Sequence, residues 1–534
     1  MPWAQLGQFI GVAGYHASAK QLMPRNIFSS GWLPAAGWSA AVALFVALAR
    51  GLPAETFFVG DPGVKLIAAT QSDPDRPLEI PLPRIGGEPV PFVEPFFVVH
   101  GDHSHAVTSE IFPLASGPFI ELFGIRGAYL LPALGFFISV AACARLAQAL
   151  GLAARPWRVM LAGTLGTPLL FYGLEFWEHT PAVALAAVAT MTLVACALES
   201  AGGTDPMRPA TSEIRGRALV AGLLYGAAIL LRPEAMCLFV AVVIALPLLG
   251  GRPQWDALLL SLIGLTLAVL PLTLYSIVHF GDIFPPHIGT HAALLTEDWL
   301  TVRSELVAEW FLPSWGAAGT WWGGALLVIL IAGWSRFPNP PASRHFLVVV
   351  GLLTTLLALV TAPNDGGGQW GPRYLLFAFV PAALLTADLL GAIGRWRPWG
   401  AVMVIAAVAT GVWIQREGYR ELRRTKMIYG HVLDFVRDEV PVNGFAATDV
   451  WWLDQVAAAA TRDRRILFTA TDEARRDALR RLAAARVDSL TIFRSSEAPN
   501  STDDWLASSC YRELGRRAIP ERSMTAIRAR RVCD

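Results

Sequence analysis

The stretch Glu175-Phe176-Trp177-Glu178-His179 puts two carboxylates and an imidazole within five residues, between two apolar runs of membrane-crossing length. These side chains serve as general acids and bases or as metal ligands, and charge at such a place is costly enough to need a reason. Asp61 and Lys65 stand together in "GDPGVKLIAATQ", and Arg232 and Glu234 in "LLRPEA". Asp282, His287 and His291 lie in "HFGDIFPPHIGTH", and Asn364, Asp365 and Arg373 in "NDGGGQWGPRY". Arginine offers a planar fork for phosphate, and a run of glycines lets a backbone come close to a ligand. Each group also has an ordinary reading. Asp61-Pro62-Gly63 is good turn chemistry, Trp177 suits a membrane-interface anchor, and an arginine at a span end can simply snorkel. His100, Asp102, His103 and His105 are zinc-ligand types, but their spacing matches no tight metal motif and reads better as solvated loop histidines.

The elements that must place these groups are membrane spans. The chain has 534 residues, 54% hydrophobic and only 16% charged, with a mean hydropathy of +0.46. Apolar runs near 32–52, 127–150, 157–174, 181–198, 218–232, 235–250, 257–279, 318–335, 345–362, 373–393 and 398–414 give about 11 transmembrane helices. With a cytoplasmic N-terminus, Lys20, Arg25, Arg155, Arg158, Arg208, Arg215, Arg217, Arg252, Arg336, Arg344, Arg395 and Arg397 fall inside. Only Arg232, Arg303 and Arg373 fall on short outer connections, which is the asymmetry membrane insertion favours. The first 31 residues hold no cleavable signal pattern. In this topology the long first loop, 51–126, is outside, and its length alone suggests a function. Val64 to Gln71 reads as a short surface helix. Thr180 reads as an N-cap with Pro181 in the first helical position, which would leave Glu178 and His179 at the surface.

The composition changes after the last apolar run. About half of all Arg and Lys lie beyond Gln415, so 1–414 is expected as a membrane domain and 415–534 as a small polar domain on the outer side. "QREGYRELRRTKM" argues against that side, because it would place Arg416, Arg420, Arg423, Arg424 and Lys426 outside. The tail reads as a charged helix over about 416–438. Strands in "GFAATDVWW", "RRILFTAT" and "DSLTIFRSS" and the helix "DEARRDALRRLAAA" follow, making a small α/β fold. Cys143, Cys196 and Cys237 lie in apolar runs as buried thiols. Cys510 and Cys533 share the tail, where only an oxidising compartment would pair them stably. The net charge of +1 gives no pull toward nucleic acid.

Carboxylates and arginines on one rim of a membrane bundle suit a lipid-linked phosphate. The arginines hold the phosphate and a carboxylate takes the proton of an acceptor hydroxyl. Transfer of a sugar from a polyprenyl phosphate needs these parts. A secondary transporter for an anionic solute is the alternative, but it would place its charges in broken helices near the bilayer midplane, with internal repeats.

"GDPGVKLIAA", "FPLASGPFIELFGIRGAYLLP", "EFWEHTPAVALA", "LLRPEA" and "WGPRYLL", in this order, resemble the GT-C class of integral-membrane glycosyltransferases, in its protein-mannosyltransferase-like and aminoarabinose-transferase-like branch (glycosyltransferase family 39-like). The resemblance covers about residues 30–395. It implies a GT-C-like α-helical polytopic bundle with surface helices near Lys65 and Phe119, and a polyprenyl-phosphate sugar donor used on the periplasmic or extracellular face of a bacterial inner membrane. A glycan, lipid or protein would be the acceptor. It implies Asp61 as the base of an inverting transfer and Glu178 as the second acid, with Glu175 as its substitute and His179 beside it. Lys65, Arg232 and Arg373 would take the donor phosphate. Asp61 and Glu178 are also the implied ligands if a divalent metal (Mg, Mn or Zn) takes part; no nucleotide cofactor is expected. The family often pairs acids in the first loop, whereas here Pro62 follows Asp61, which leaves metal dependence open.

Overall fold

The computed structural model describes residues 32–152, 154–201, 211–249, 255–286, 288, 299–312, 318–335, 341–364, 370–393, 399–495, 506, 509–519 and 524–533. The eleven apolar runs are helical over most of their described length. Helix α1 (Trp32–Arg50) leads into the first loop, which folds into α2 (Asp61–Gln71), a small sheet of β1 (Ile80–Pro81), β5 (His103–Ala106) and β4 (Phe97–His100), a hairpin of β2 (Arg84–Ile85) and β3 (Glu88–Pro89), and α3 (Ile111–Phe123). Leu114, Leu122 and Phe123 on α3 are exposed apolar side chains, as a helix against lipid requires. A 3-10 turn joins α3 to α4 (Leu130–Ala149).

The expected third span is two short pieces, α5 (Pro156–Leu165) and α6 (Leu169–Gly173). They are interrupted where Pro168 lacks the donor that a continuous helix needs. Next come α7 (His179–Ala201), α8 (Ser212–Leu231) and α9 (Ala235–Ala245), the last two joined by the tight turn Arg232-Pro233-Glu234. The remaining bundle helices are α10 (Trp255–Phe280), α11 (Trp299–Phe311), α12 (Trp321–Ser335), α13 (Ala342–Thr361) and α14 (Phe379–Ile393). Among the described residues six stretches are long and apolar enough to cross a membrane: Ile111–Ala149, His179–Glu199, Ser212–Leu231, Trp255–Phe280, Ala342–Thr361 and Arg373–Gly391. The chain is thus a multi-pass membrane protein.

The last apolar run does not stop at the composition change. Helix α15 (Trp399–Glu439) runs 41 residues without a break, from the bundle into the tail. Beyond it, β6 (Phe445–Thr448), α16 (Leu453–Val456), β7 (Arg465–Phe468), α17 (Asp472–Ala484) and β8 (Ser489–Ser495) follow the expected order. Two strands absent from that expectation, β9 (Tyr511–Ile519) and β10 (Met524–Arg531), complete a five-stranded sheet in the order β7-β6-β8-β10-β9. The first three strands are parallel and the last two antiparallel. Thr471 caps α17 by accepting from the Ala474 N–H. Cys510 and Cys533 form a disulfide at the base of the β9–β10 pair, while Cys143, Cys196 and Cys237 are buried and take no part in a disulfide.

Candidate active site

Asp61 and Lys65 owe their common direction to helix geometry. Pro62 fixes the backbone for a first helical turn, so Asp-Pro-Gly opens α2 rather than making an isolated turn. Four residues on, Lys65 faces the same way, with Nζ 3.9 Å from Asp61 Oδ2. Lys65 is 1% exposed and its closest anion is Glu178, whose Oε2 is 2.7 Å away. Glu178 Oε1 accepts in turn from Arg232 Nη1 at 3.3 Å. Arg232 spends its fork on Glu234, donating from Nε at 3.1 Å and from Nη2 at 2.5 Å. Arg373 closes the ring from the far side, with Nη1 3.7 Å from Asp61 Oδ2 and Nη2 donating to the Tyr374 hydroxyl at 3.1 Å.

Four separate parts of the chain therefore supply one continuous cluster of three cations and three carboxylates. Burial alone would push the Glu178 carboxyl up, but the Lys65 ammonium and the Arg232 guanidinium outweigh it and hold it below the usual carboxylate range. The cluster is not saturated. Arg373 Nε has no hydrogen-bond partner among the described residues, and neither ring nitrogen of His179 has one. The His179 ring packs on Tyr172 and Trp177, with centroids 4.7 and 5.3 Å away.

Three expectations need correction. Glu178 and His179 are buried, not at the surface. The helix starts at His179, and Thr180 does not cap it: its hydroxyl donates to the Pro132 carbonyl of α4 at 2.7 Å. Trp177 is no interface anchor. It is fully buried, edge-on to Phe58 and packed against Phe171 and Tyr172. Glu175 makes no hydrogen bond or ion pair with the cluster among the described residues. Its carboxylate accepts from Lys426 Nζ at 3.1 Å, from the Phe58 N–H at 3.1 Å and from the Phe176 N–H at 2.9 Å.

A divalent ion on Asp61 and Glu178 does not fit the donor set. Both carboxylates already face cationic nitrogens, and no group of three or more His, Cys, Asp or Glu side chains suited to a metal occurs among the described residues. Two of the loop histidines are buried and not solvated. Asp102 lies 2.6 Å from His103 Nδ1 and Asp73 lies 3.2 Å from Nε2, while His105 is buried against Phe280. Asp282 makes a turn by accepting from the Phe284 N–H. His287, His291 and Asp365 lie outside the described residues, as do Lys20, Arg25, Arg208, Arg252, Arg336, Arg395 and Arg397.

Sequence reasoning missed Lys426 and Tyr374. Lys426 lies on the buried stripe of α15 with Gly411, Gln415, Gly418 and Leu422, a helical spacing that could have revealed it. Tyr374 stands next to Arg373 in the motif already singled out, with Arg232 and Arg373 both over its ring.

No family model matches the chain, and neither does any curated protein. Solved structures do. The crystal structure of ArnT from Cupriavidus metallidurans bound to undecaprenyl phosphate aligns over 92% of this chain and 98% of that one, at 15% identity and a TM-score of 0.50. Its apo form aligns over 93% and 98%, at 14% identity and a TM-score of 0.52. The oligosaccharyltransferase AglB from Archaeoglobus fulgidus, in complex with an inhibitory peptide and a dolichol-phosphate, aligns at 13% identity over 92% of this chain and 74% of that one, with a TM-score of 0.47. The ArnT alignment spans bundle and tail together. The chain has the fold of ArnT, a GT-C glycosyltransferase, which is the class its motifs resemble.

Proposed function

We propose that this chain is a membrane glycosyltransferase that moves a sugar from a polyprenyl-phosphate donor to an acceptor on the outer face of a bacterial inner membrane. The observation that carries this reading is the convergence of Asp61, Lys65, Glu178, Arg232 and Arg373 in one cluster, buried except at Asp61 and Arg373, that still holds unfilled donors. Asp61 is the base. It takes the proton of the acceptor hydroxyl as that oxygen attacks the anomeric carbon. The bond from that carbon to the phosphate oxygen breaks, its electron pair leaves with the phosphate, and the anomeric centre inverts.

Charge supports the assignment. The resting cluster is balanced, so protonating Asp61 leaves it one unit positive just as the leaving phosphate gains negative charge. Arg373, with its open Nε, and Lys65 meet that charge, while Arg232 is held by two carboxylates and shapes the wall. Glu178, kept ionised, fixes Lys65, and His179 beside it orients the acceptor. The Cys510–Cys533 disulfide supports an exported tail, since such bonds persist in oxidising compartments. That ArnT was crystallised with undecaprenyl phosphate supports the donor class.

Asp61→Asn is expected to abolish transfer while the protein still inserts and folds. The measurement is mass spectrometry of envelope glycans and polyprenyl lipids from cells with wild-type protein, the variant or neither. A sugar missing from one acceptor, with its lipid carrier accumulating, identifies both substrates. Full activity in the variant removes Asp61 from the role. Unchanged glycans together with altered uptake of an anionic solute favour a transporter.

A further inference from the structure

The C-terminal domain touches the helix that carries Asp61 at both of its ends. At the far end, Gln71 Nε2 donates to Thr461 Oγ1 at 2.7 Å. At the Asp61 end the contact is closer. Helix α16 presses on the first turn of α2 so tightly that a Cβ on Gly60 would lie 1.5 Å from Gln455 Oε1. One on Gly63 would lie 1.8 Å from the Gln455 carbonyl oxygen. Neither glycine has a positive φ, so the missing side chain serves the approach and not the backbone conformation. Gln455 is 2% exposed, and its Nε2 donates to Glu94 Oε2 at 2.5 Å.

Glu94 comes from the first loop and is also buried. Two residues before it, the Phe92 carbonyl accepts from the Phe468 N–H of β7, so this part of the loop is held by the tail sheet as well. Burial pushes the Glu94 carboxyl up to about 9; the Gln455 hydrogen bond opposes that rise, and the charges of Asp454 and Asp61 add to it. Glu94 is therefore neutral at pH 7. Oε2 accepts from Gln455, while the buried Oε1 has no hydrogen-bond partner among the described residues. A buried polar atom without a partner costs free energy, and a dock that served stability alone would be better built from apolar side chains.

We propose that Gln455 is a positioning residue for Asp61, so that the C-terminal domain is a working part of the transfer site. Gln455 holds the turn that carries the base and fixes Glu94 beside it with one oxygen left for a group the protein does not supply. This inference rests on the proposed function above.

The test uses the purified full chain. A polyprenyl-lipid extract of the host serves as donor and isolated cell envelopes as acceptor, with transferred sugar read by mass spectrometry. Binding of undecaprenyl phosphate is measured separately. Gln455→Ala is expected to lower the rate at saturating extract by about tenfold or more, the scale on which small misplacements of reacting groups act. The half-saturating amount of extract and the binding of undecaprenyl phosphate stay unchanged, because Lys65, Arg232 and Arg373 are untouched. Thr461→Val, which cuts the tie at the other end of α2, keeps the wild-type rate.

Equal losses in both variants, or a wild-type rate per folded molecule in Gln455→Ala, overturn the proposal. If Gln455→Ala does not fold, Gln455→Asn keeps the amide and shortens its reach, and the same split is expected. Amide hydrogen exchange over residues 60–71 gives a readout free of activity. Faster exchange at the Asp61 end in the Gln455 variant supports the inference, and unchanged exchange there overturns it. An active Asp61→Asn would sink the transferase reading itself. An inactive Asp61→Asn with a fully active Gln455→Ala sinks this inference alone.

Discussion

Glu175 and Glu178 leave the same hairpin three residues apart and finish in opposite electrical settings. Glu175 is closed in: Lys426 and two backbone N–H groups use its oxygens, and Lys426 donates its remaining close bond to the Tyr129 hydroxyl at 2.9 Å. Glu178 is one link in an open chain of charges that ends on the unfilled Arg373 Nε and lies next to the unpartnered His179 ring. Both carboxylates are buried, so burial does not separate scaffold from site. The difference is whether the surrounding donors are used up. The Glu175 pair ties the tail helix α15 to the hairpin, and the Glu178 cluster keeps capacity for another anion.

Removing Lys426 would break this comparison most severely. Lys426→Ala strands the Glu175 charge in the interior and is expected to cost about 3–5 kcal/mol, the scale for orphaning one half of a buried pair. Thermal unfolding of the purified protein would show it, and Glu175→Gln in the same chain should restore much of the loss. Sugar transfer per folded molecule should survive both changes.

Arg373→Ala reverses that pattern. It should weaken retention of undecaprenyl phosphate by about 1.5–3 kcal/mol, the worth of a hydrogen bond to a charged group, with a much smaller change in melting temperature. A variant that melts early yet binds the lipid phosphate normally would move Arg373 to the scaffold side.

The last effect is a pH slope. Glu94 is raised to about 9 in the folded chain from an ordinary value of 4.5, so the folded state binds the extra proton between those values. Its contribution is fully present near pH 4 and is lost as pH rises through 9, at most about 1.4 kcal/mol per pH unit. Melting temperatures from pH 5 to 9 should fall along that slope. Glu94→Gln, which cannot ionise, should flatten it. An unchanged slope would mean that the acid is solvated and does not belong to the closed region.

Much of the site was legible because membrane proteins collect costly charges at span ends. Asp61, Lys65, Glu178, Arg232 and Arg373 stood out as titratable groups at the edges of apolar runs, and the fold brings them together. The same logic did not anticipate where Glu175 goes, because the partner that fills it is 251 residues away on a helix read only as a charged one. Only the helical period of α15, which turns Lys426 inward while Arg420 and Arg424 stay exposed, separates them. Strands β9 and β10 were missed for a related reason. Their arginine-rich alternation, as in "YRELGRRAI", has one outward face so polar that it hides the buried one. Nothing local in the sequence could have joined Glu94 to Gln455.

The unbroken helix α15 has a mechanical consequence. At 1.5 Å per residue its 41 residues extend about 60 Å, roughly twice the hydrocarbon thickness of a bilayer, and the segment contains no proline to act as a hinge. A change of tilt of about 10° at the membrane exit would sweep the far end, about 30 Å beyond, through about 5 Å. Packing against neighbouring helices sets such tilts, and a mismatch with bilayer thickness adds to them. The ties of Lys426 to Glu175 and of Gln455 to Glu94 are what hold such a lever still.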